Sequence, residues 1–491
     1  MPLPLLVAVV VAFGLDTPGD LDLLAPAEVL RRLLETLGGV VVVAVTAGVL
    51  GLVLASAARR EGGPTVRLRR TYLLGSRACE VLALGTFAWI IHSVGWRQVV
   101  RSGFNLRGAI LADEVLILAP FLLSQLAVWA GLYPAERALR SRAVPSAGGV
   151  FGHVARRARQ TMGLILPVVL IFALGQDLVG RFLPSASGDA WVQVGVMAAM
   201  GALVLVFSPA FVRMAWPTRR LEDGPLRDRL ERLAARHRFR CTDILVWETG
   251  GTAVNAGVTG ALPWFRYVLL TDALIERLDA RQVAAVFGHE VGHIAHRHLL
   301  SFGLFFLGSL GILALMGQGI EAYVTLPAGV DTEDLAATTV LQSAVFLGLV
   351  VAYFLGVFGL LSRRFERQAD VYGCRAVSCD VDGCPPHIDV DGKPGAALTG
   401  PAPGLCILGI RIFAEALADV ARLNGIDRDV RSWRHGSIGR RIAFVEGLAG
   451  RPEAERRFQA GTVRLRLGLL VLLAGSVALA VAAGSVEYLG R

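Results

Sequence analysis

The residues best equipped for chemistry sit together at His289-Glu290-Val291-Gly292-His293. On a helix, positions four apart share a face, so His289 and His293 aim two imidazoles at one point, with Glu290 beside them. Two neutral nitrogen ligands and a carboxylate placed to take a proton from water are what a hydrolytic zinc ion requires. The bland alternative is a chance pair of histidines. With only 9 His in 491 residues, that coincidence around a central Glu is rare. The supporting helix is legible too: Asp279 and Gln282 form a capping box, and Ala280 to Phe287 are mostly good helix formers.

A third ligand must come from another element. His293 lies six residues before an apolar run beginning at Leu299, about 9 Å along a helix at 1.5 Å per residue, if the motif helix runs on into that span. The next apolar run ends near Leu361, and a continuing helix sets Glu366 about 7.5 Å beyond its edge. Two antiparallel neighbours then bring His293 and Glu366 to the same height. Asp370, four residues on, shares the face of Glu366 and suits a hydrogen bond to the second nitrogen of a ligand histidine. On a solvated face Glu366 would instead pair with Arg363. His296 shares the ligand face and His298 reads as turned away. Both are expected at the lipid headgroup boundary or in contacts behind the ligands.

The elements that carry these residues belong to a membrane protein. The chain is 54% hydrophobic with a mean hydropathy of +0.56, too apolar for a soluble protein of this length. Runs near the ~20 residues that a bilayer requires fall at 37–57, 73–96, 109–133, 162–183, 191–214, 299–320, 341–361 and 467–483. A shorter run at 3–15 could be a first span, a re-entrant piece or a poor signal sequence. The net charge of +9 is almost all arginine. Arginine crowds the loops around 59–70 and 137–159, where it sets topology and argues against nucleic acid. The opposite side receives Asp16, Asp20, Asp22, Glu28 and the acidic turn at 331–334, although Arg97, Arg101 and Arg107 run against the trend. The positive-inside rule therefore puts the polar segments 215–298 and 362–466 in the cytoplasm. Of the carboxylates in or near the spans, Asp113 and Glu114 read as interfacial, and Glu80 and Asp177 as deep.

The expected organisation is a membrane region at 1–214, a first polar segment at 215–298, a helical hairpin at 299–361, a second polar segment at 362–466 and a last span within 467–491. The first polar segment reads as a small α+β unit, with an amphipathic helix at 225–236 and strands at 242–248 and 267–271.

Four motifs in order across about 225–445 resemble the membrane zinc metalloproteases of the HtpX and type I CAAX prenyl protease family. Asn255-Ala256-Gly257-Val258-Thr259-Gly260 is similar to the family's Asn-Ala-x-x-x-Gly edge segment, which implies that Asn255, Ala256 and Gly257 line up substrate backbone. His289-Glu290-Val291-Gly292-His293 is the zinc helix, and Glu366-Arg367-Gln368-Ala369-Asp370 resembles the Glu-x-x-x-Asp motif that supplies the third ligand. His435-Gly436-Ser437-Ile438-Gly439-Arg440-Arg441-Ile442 resembles His-Pro-Ser-x-x-x-Arg-Ile, with Gly436 in place of Pro. By that likeness His435 and Arg441 help hold the tetrahedral intermediate, although the adjacent Arg440 competes for the second role.

The resemblance implies a polytopic α-helical membrane protein with a cytoplasm-facing α+β zincin-like (gluzincin) metalloprotease domain. It further implies one Zn2+ per chain, a multi-pass place in the cell membrane, polypeptide substrates drawn from damaged or misassembled membrane proteins, and contact with lipid. A more selective prenyl-protease-type processing activity, or a zinc-binding sensor without proteolysis, are the alternatives. The sequence sets no oligomeric state. Two regions depart from a minimal family member. Five candidate spans precede the protease unit, as a vestibule, a docking module or plain helix packing. Cys374, Cys379, Cys384 and Cys406 surround a Pro/Gly-rich insertion containing His387, as a surface loop, a second metal site or a redox cross-link.

Overall fold

The computed structural model describes residues 3–13, 24–61, 65–106, 109–139, 149–186, 190–251, 253–323, 342, 345–346, 348–378 and 405–489. The chain divides into two compact units, Met1–Thr218 and Arg219–Arg491. Among the described residues eight helices are long and apolar enough to cross a bilayer, five in the first unit and three in the second. Each overlaps one of the eight expected runs, and the protein is a multi-pass membrane protein. The acidic turn at 331–334 and the insertion residues Cys379, Cys384 and His387 lie outside the described residues. Cys374 and Cys406, at the insertion's two ends, are buried.

The first unit holds α1 (Leu3–Phe13), α2 (Pro26–Arg60), α3 (Val66–Trp89), α4 (Ala112–Leu139), α5 (Gly149–Phe182) and α6 (Ala190–Ala215). The 11 residues of α1 cover only about 16 Å, roughly half of a ~30 Å hydrocarbon core. Its Leu5, Ala8 and Ala12 are instead buried in a cluster with Phe87, Ile91 and Phe121. Two of the carboxylates here have local partners. Asp113 is buried 3.2 Å from Arg101 Nε, and Asp177 accepts the Leu111 N–H at 2.9 Å, just ahead of α4. Glu80 borders a small cavity with Gln125 and Arg157.

The second unit begins with a four-stranded sheet built from β1 (Thr218–Arg220), β2 (Asp243–Trp247), β3 (Ala256–Thr259) and β4 (Tyr267–Thr271). The strand order is β1-β2-β4-β3. β2 and β4 run parallel, and β3 pairs antiparallel with β4, Val258 opposite Val268. β3 is therefore an edge strand. The helix α7 (Pro225–Arg236) buries Leu230 and Leu233 in the core that this sheet shares with Phe287 and Phe413.

The motif helix α8 (Ala280–Ala295) starts where the sequence places it. Arg281 and Gln282 donate their N–H groups to Asp279 Oδ1 at 2.7 and 2.9 Å, and the Asp279 N–H returns to Gln282 Oε1 at 3.1 Å. This satisfies donors that a helix start otherwise leaves open. α8 packs along α10 (Gly359–Ala376), which follows α9 (His298–Tyr323). The approach is close because Gly288 and Gly292 face it. A Cβ at Gly288 would collide with Ala376 Cβ, and one at Gly292 would lie 2.8 Å from Tyr372 Cβ. The helices α11 (Ile407–Leu423), α12 (Ile438–Glu446) and α13 (Pro452–Leu489) complete the unit.

One expectation is corrected. α8 does not run on into the span. It ends at Ala295, and Arg297 adopts φ +52° before α9 begins at His298. A non-glycine residue in the left-handed region breaks the helical path, so the rise counted through to Leu299 does not describe this junction.

Gly292→Val should cost about 1–3 kcal/mol through overpacking, read as a lower unfolding temperature of the solubilised chain. Gly468→Val, where nothing lies within 4 Å of an added Cβ, should leave that temperature close to wild type.

Candidate metal centre

α8 carries His289 and His293 with their Nε2 atoms 3.2 Å apart. α10 brings Glu366 to meet them: Oε2 is 3.7 Å from His289 Nε2, and Oε1 is 3.7 Å from His293 Nε2. One ligand atom from each of the three falls within a 4.8 Å circle. Tetrahedral ligands at 2.0–2.2 Å from zinc stand roughly 3.3–3.5 Å apart, so the triad closes on one ion with only small side-chain shifts. Two imidazoles and one carboxylate also match the donor set of an open, catalytic zinc site rather than a closed structural one. The residues fit the metal.

Behind the ligands lies a second layer of charge. Asp370 is fully buried, and its Oδ1 lies 3.0 Å from His289 Nδ1. Buried Arg441 donates to both oxygens of Asp370, Nε at 2.9 Å and Nη2 at 2.5 Å, and its Nη1 stands 3.3 Å from Glu366 Oε2. One bidentate guanidinium thus compensates two carboxylates removed from water. Burial alone would lower the His289 imidazole, but the Asp370 carboxylate outweighs it and holds it above its ordinary value. Burial, helped by His289, drives His293 down to about 3, which keeps it neutral as a ligand must be. Glu290 is half-buried, and no hydrogen bond to a described residue ties its carboxylate. Burial pushes its carboxyl above the usual carboxylate range, the direction that poises a general base nearer neutrality.

His298 makes the contact behind the ligands that was one of its two expected places, but its orientation is corrected. It is buried rather than turned away, 1% exposed. Its Nδ1 lies 2.9 Å from His293 Nδ1, its Nε2 lies 3.0 Å from Gln368 Oε1, and its ring stacks on Phe365 at 4.3 Å. The turn at Arg297 produces this, since it re-aims everything after Ala295. The hydrogen-bond roles follow. His293 Nε2 faces the triad, so its Nδ1 carries the proton and donates to His298, which in turn donates from Nε2 to Gln368. Arg466 Nη2 also donates to that Gln368 oxygen at 2.9 Å, which fixes it as an acceptor. His296 stacks on His298 and meets Tyr372 edge-on, and burial lowers it to about 4.

The remaining expected residues are placed as follows. Asn255 is exposed at the start of the edge strand, exchanging hydrogen bonds with Thr271 through its backbone. Ala256 and Gly257 pair with Leu270 and Leu269, and β3 packs against α8. Asn424, unremarked in the sequence, pins this segment by bonding both the N–H and the carbonyl of Val254 at 3.0 and 2.8 Å. His435, half-exposed, brings Nδ1 within 3.0 Å of Glu366 Oε1. Of the two adjacent arginines, Arg441 reaches the centre and Arg440 is exposed. Gly436 has φ +75°. Proline, fixed near −65°, cannot adopt that backbone, so Gly at this position carries a turn that Pro would forbid.

His298→Phe keeps a ring against Phe365 but removes the acceptor for His293. Together with Asp370→Asn, it should weaken zinc binding by about 10–100-fold, measured by competition with a chelator. Unchanged affinity in both variants would show that neither residue orients a ligand.

Comparison with known proteins bears on the same stretch. Residues 220–384, which include all three ligand positions and Asp370, match peptidase family M48. The chain is 30% identical over 219 residues to a protein named Probable CAAX prenyl protease 1 from Schizosaccharomyces pombe, covering 43% of this chain and 44% of that one. It is 28% identical over 130 residues to a Protease HtpX homolog from Aquifex aeolicus, covering 26% and 43%. The chain thus spans less than half the length of each of these relatives. The crystal structure of S. mikatae Ste24p aligns with 84% of this chain and 98% of its own at 16% identity and a TM-score of 0.46. The stretch that carries the three ligands matches peptidase family M48, and over it the chain is similar to proteins named HtpX homolog and probable CAAX prenyl protease.

Proposed function

We propose that the protein is an integral-membrane zinc endopeptidase that hydrolyses peptide bonds of membrane-associated or misfolded proteins, with one zinc per chain. The observation that carries this reading is the convergence of His289, His293 and Glu366 beside a Glu290 that no side chain among the described residues hydrogen-bonds. Zinc, when bound, supplies Lewis acidity that acidifies water and polarises a carbonyl. Glu290 then takes the proton of the attacking water and passes it to the leaving amine. His435, exposed and next to Glu366, is placed to donate to the developing oxyanion. Arg441 acts from behind, holding Asp370 and Glu366 in position. An extended substrate adds to the edge strand at Ala256–Thr259, where main-chain hydrogen bonds align it with loose sequence preference.

In this reading the segments 215–298 and 362–466 supply the two halves of the protease, and the arginine-rich loops support a cytoplasmic side of the cell membrane for them. Selective processing, in keeping with the relative named as a probable CAAX prenyl protease, is the second reading. It predicts cleavage of a prenylated peptide and not of casein.

Purified protein should contain about one zinc per chain and cleave casein. Glu290→Gln should keep the metal and lose cleavage by roughly 10²–10⁴-fold, whereas Glu366→Ala should lose both. Full zinc and full activity in Glu366→Ala would remove Glu366 from the ligand set. For topology, a membrane-impermeant maleimide applied to intact cells should label Glu333→Cys and spare Arg142→Cys. The opposite pattern would put the site outside.

A further inference from the structure

Beside the ligand triad lies a cavity of about 410 Å³, lined by Arg363, Arg367, Arg431, Arg440 and Arg441 together with His435, and by no Asp or Glu. Arg441 is neutralised by Asp370 and Glu366. The other four keep their charge. Arg363 donates Nη1 to the Trp433 carbonyl at 2.6 Å, and the Arg367 guanidinium lies 5.3 Å over the Phe444 ring. Arg431 and Arg440 are exposed. None of these four has a carboxylate partner among the described residues. Four uncompensated like charges around one concavity repel each other, and its low-dielectric walls focus their field on an incoming anion. Planar guanidinium forks match a carboxylate in particular. His435 links the two places, since it lines the cavity and also stands 3.0 Å from Glu366 Oε1. Arg431 and Arg440 flank His435 in sequence rather than following the apolar run that ends near Leu361, so the charge is gathered around the reacting centre and not only at the membrane edge.

We infer that this cavity is a subsite for a negatively charged substrate side chain, an Asp or Glu close to the scissile bond. The inference rests on the protease reading above and narrows its substrates to peptides with an acidic residue at one fixed position. A carboxylate at the substrate's own C-terminus has the same chemistry, and anionic lipid is a rival occupant of the arginines.

The test is binding of fluorescent peptides to the full-length zinc-loaded Glu290→Gln protein in neutral detergent, followed by anisotropy. A Gln-containing parent is compared with peptides carrying Glu at each position in turn, each as free acid and as amide. Glu at one position should bind about tenfold tighter than Gln, the scale of a charge-assisted hydrogen bond, with acid and amide alike. Adding Arg431→Gln and Arg440→Gln should reduce that difference to under about twofold with zinc content and unfolding temperature unchanged. The subsite is overturned if no position separates Glu from Gln, or if the separation survives in the arginine variant. It is also overturned if only the free C-terminal acid shows it, or if the variant loses binding to anionic-lipid nanodiscs while peptide discrimination stays intact. Cleavage of the tightest-binding Glu peptide by the wild-type protein is scored separately. No cleavage, with discrimination preserved, refutes the protease reading and not the subsite.

Discussion

The centre depends on one buried guanidinium. Glu366 and Asp370 are 6% and 0% exposed, and two carboxylates taken out of water so close together cannot both stay charged without compensation. Arg441 supplies it through a bidentate bond to Asp370 and a 3.3 Å approach to Glu366. Breaking such a buried pair by removing one partner typically costs about 3–5 kcal/mol, a large share of a domain's stability. The consequence for chemistry is positional. With Asp370 fixed, a carboxylate stands 3.0 Å from His289 Nδ1. With Glu366 fixed, both of its oxygens face the two Nε2 atoms. Arg441 belongs to a nine-residue helix some 70 positions downstream, so the site cannot form until α8, α10 and α12 are all packed.

Helix approach sets the other dimension. α8 and α10 come within backbone distance only because Gly288 and Gly292 offer no Cβ, and this closeness brings side chains 73 to 77 residues apart in sequence onto one point. The break at Arg297 then separates the motif helix from the span. His298 starts the apolar helix but turns inward onto His293. The first residue after the break thus supports a metal ligand from behind. Residues from the span side, Phe365 and Gln368, pack against His298 in turn. The membrane-facing helices and the metal ligands share contacts, which ties the geometry of the centre to the packing of the hairpin.

Around this rigid core the surroundings are more open. Among the described residues β3 has no strand on its outer edge, His435 is half-exposed, and the arginine-lined cavity opens beside it. An extended chain paired on β3 would put its backbone in register by hydrogen bonds that ignore side chains. Discrimination would then fall to the cavity. Broad alignment and local charge preference are therefore compatible in one site.

What the sequence determined by itself is whatever depends on short-range period. His289 and His293 share a face because four residues span about one turn of 3.6. The capping box is written in Asp279 and Gln282, and each apolar run became a membrane-length helix because ~20 apolar residues admit little else. The nearness of Glu366 to the histidines was legible only in outline, as the meeting of two neighbouring helices, because the break at Arg297 removes the rise count on which the matching heights rested. The tertiary structure alone decided the rest. The inward turn of His298 hangs on one left-handed residue, Arg297, that nothing in its type announces. The choice of Arg441 over Arg440 follows from which side of α12 meets α10. The gathering of Arg363, Arg367, Arg431 and Arg440 around one cavity joins residues up to 77 positions apart. Periodicity fixes which face of a helix a residue occupies. Only packing decides what that face meets.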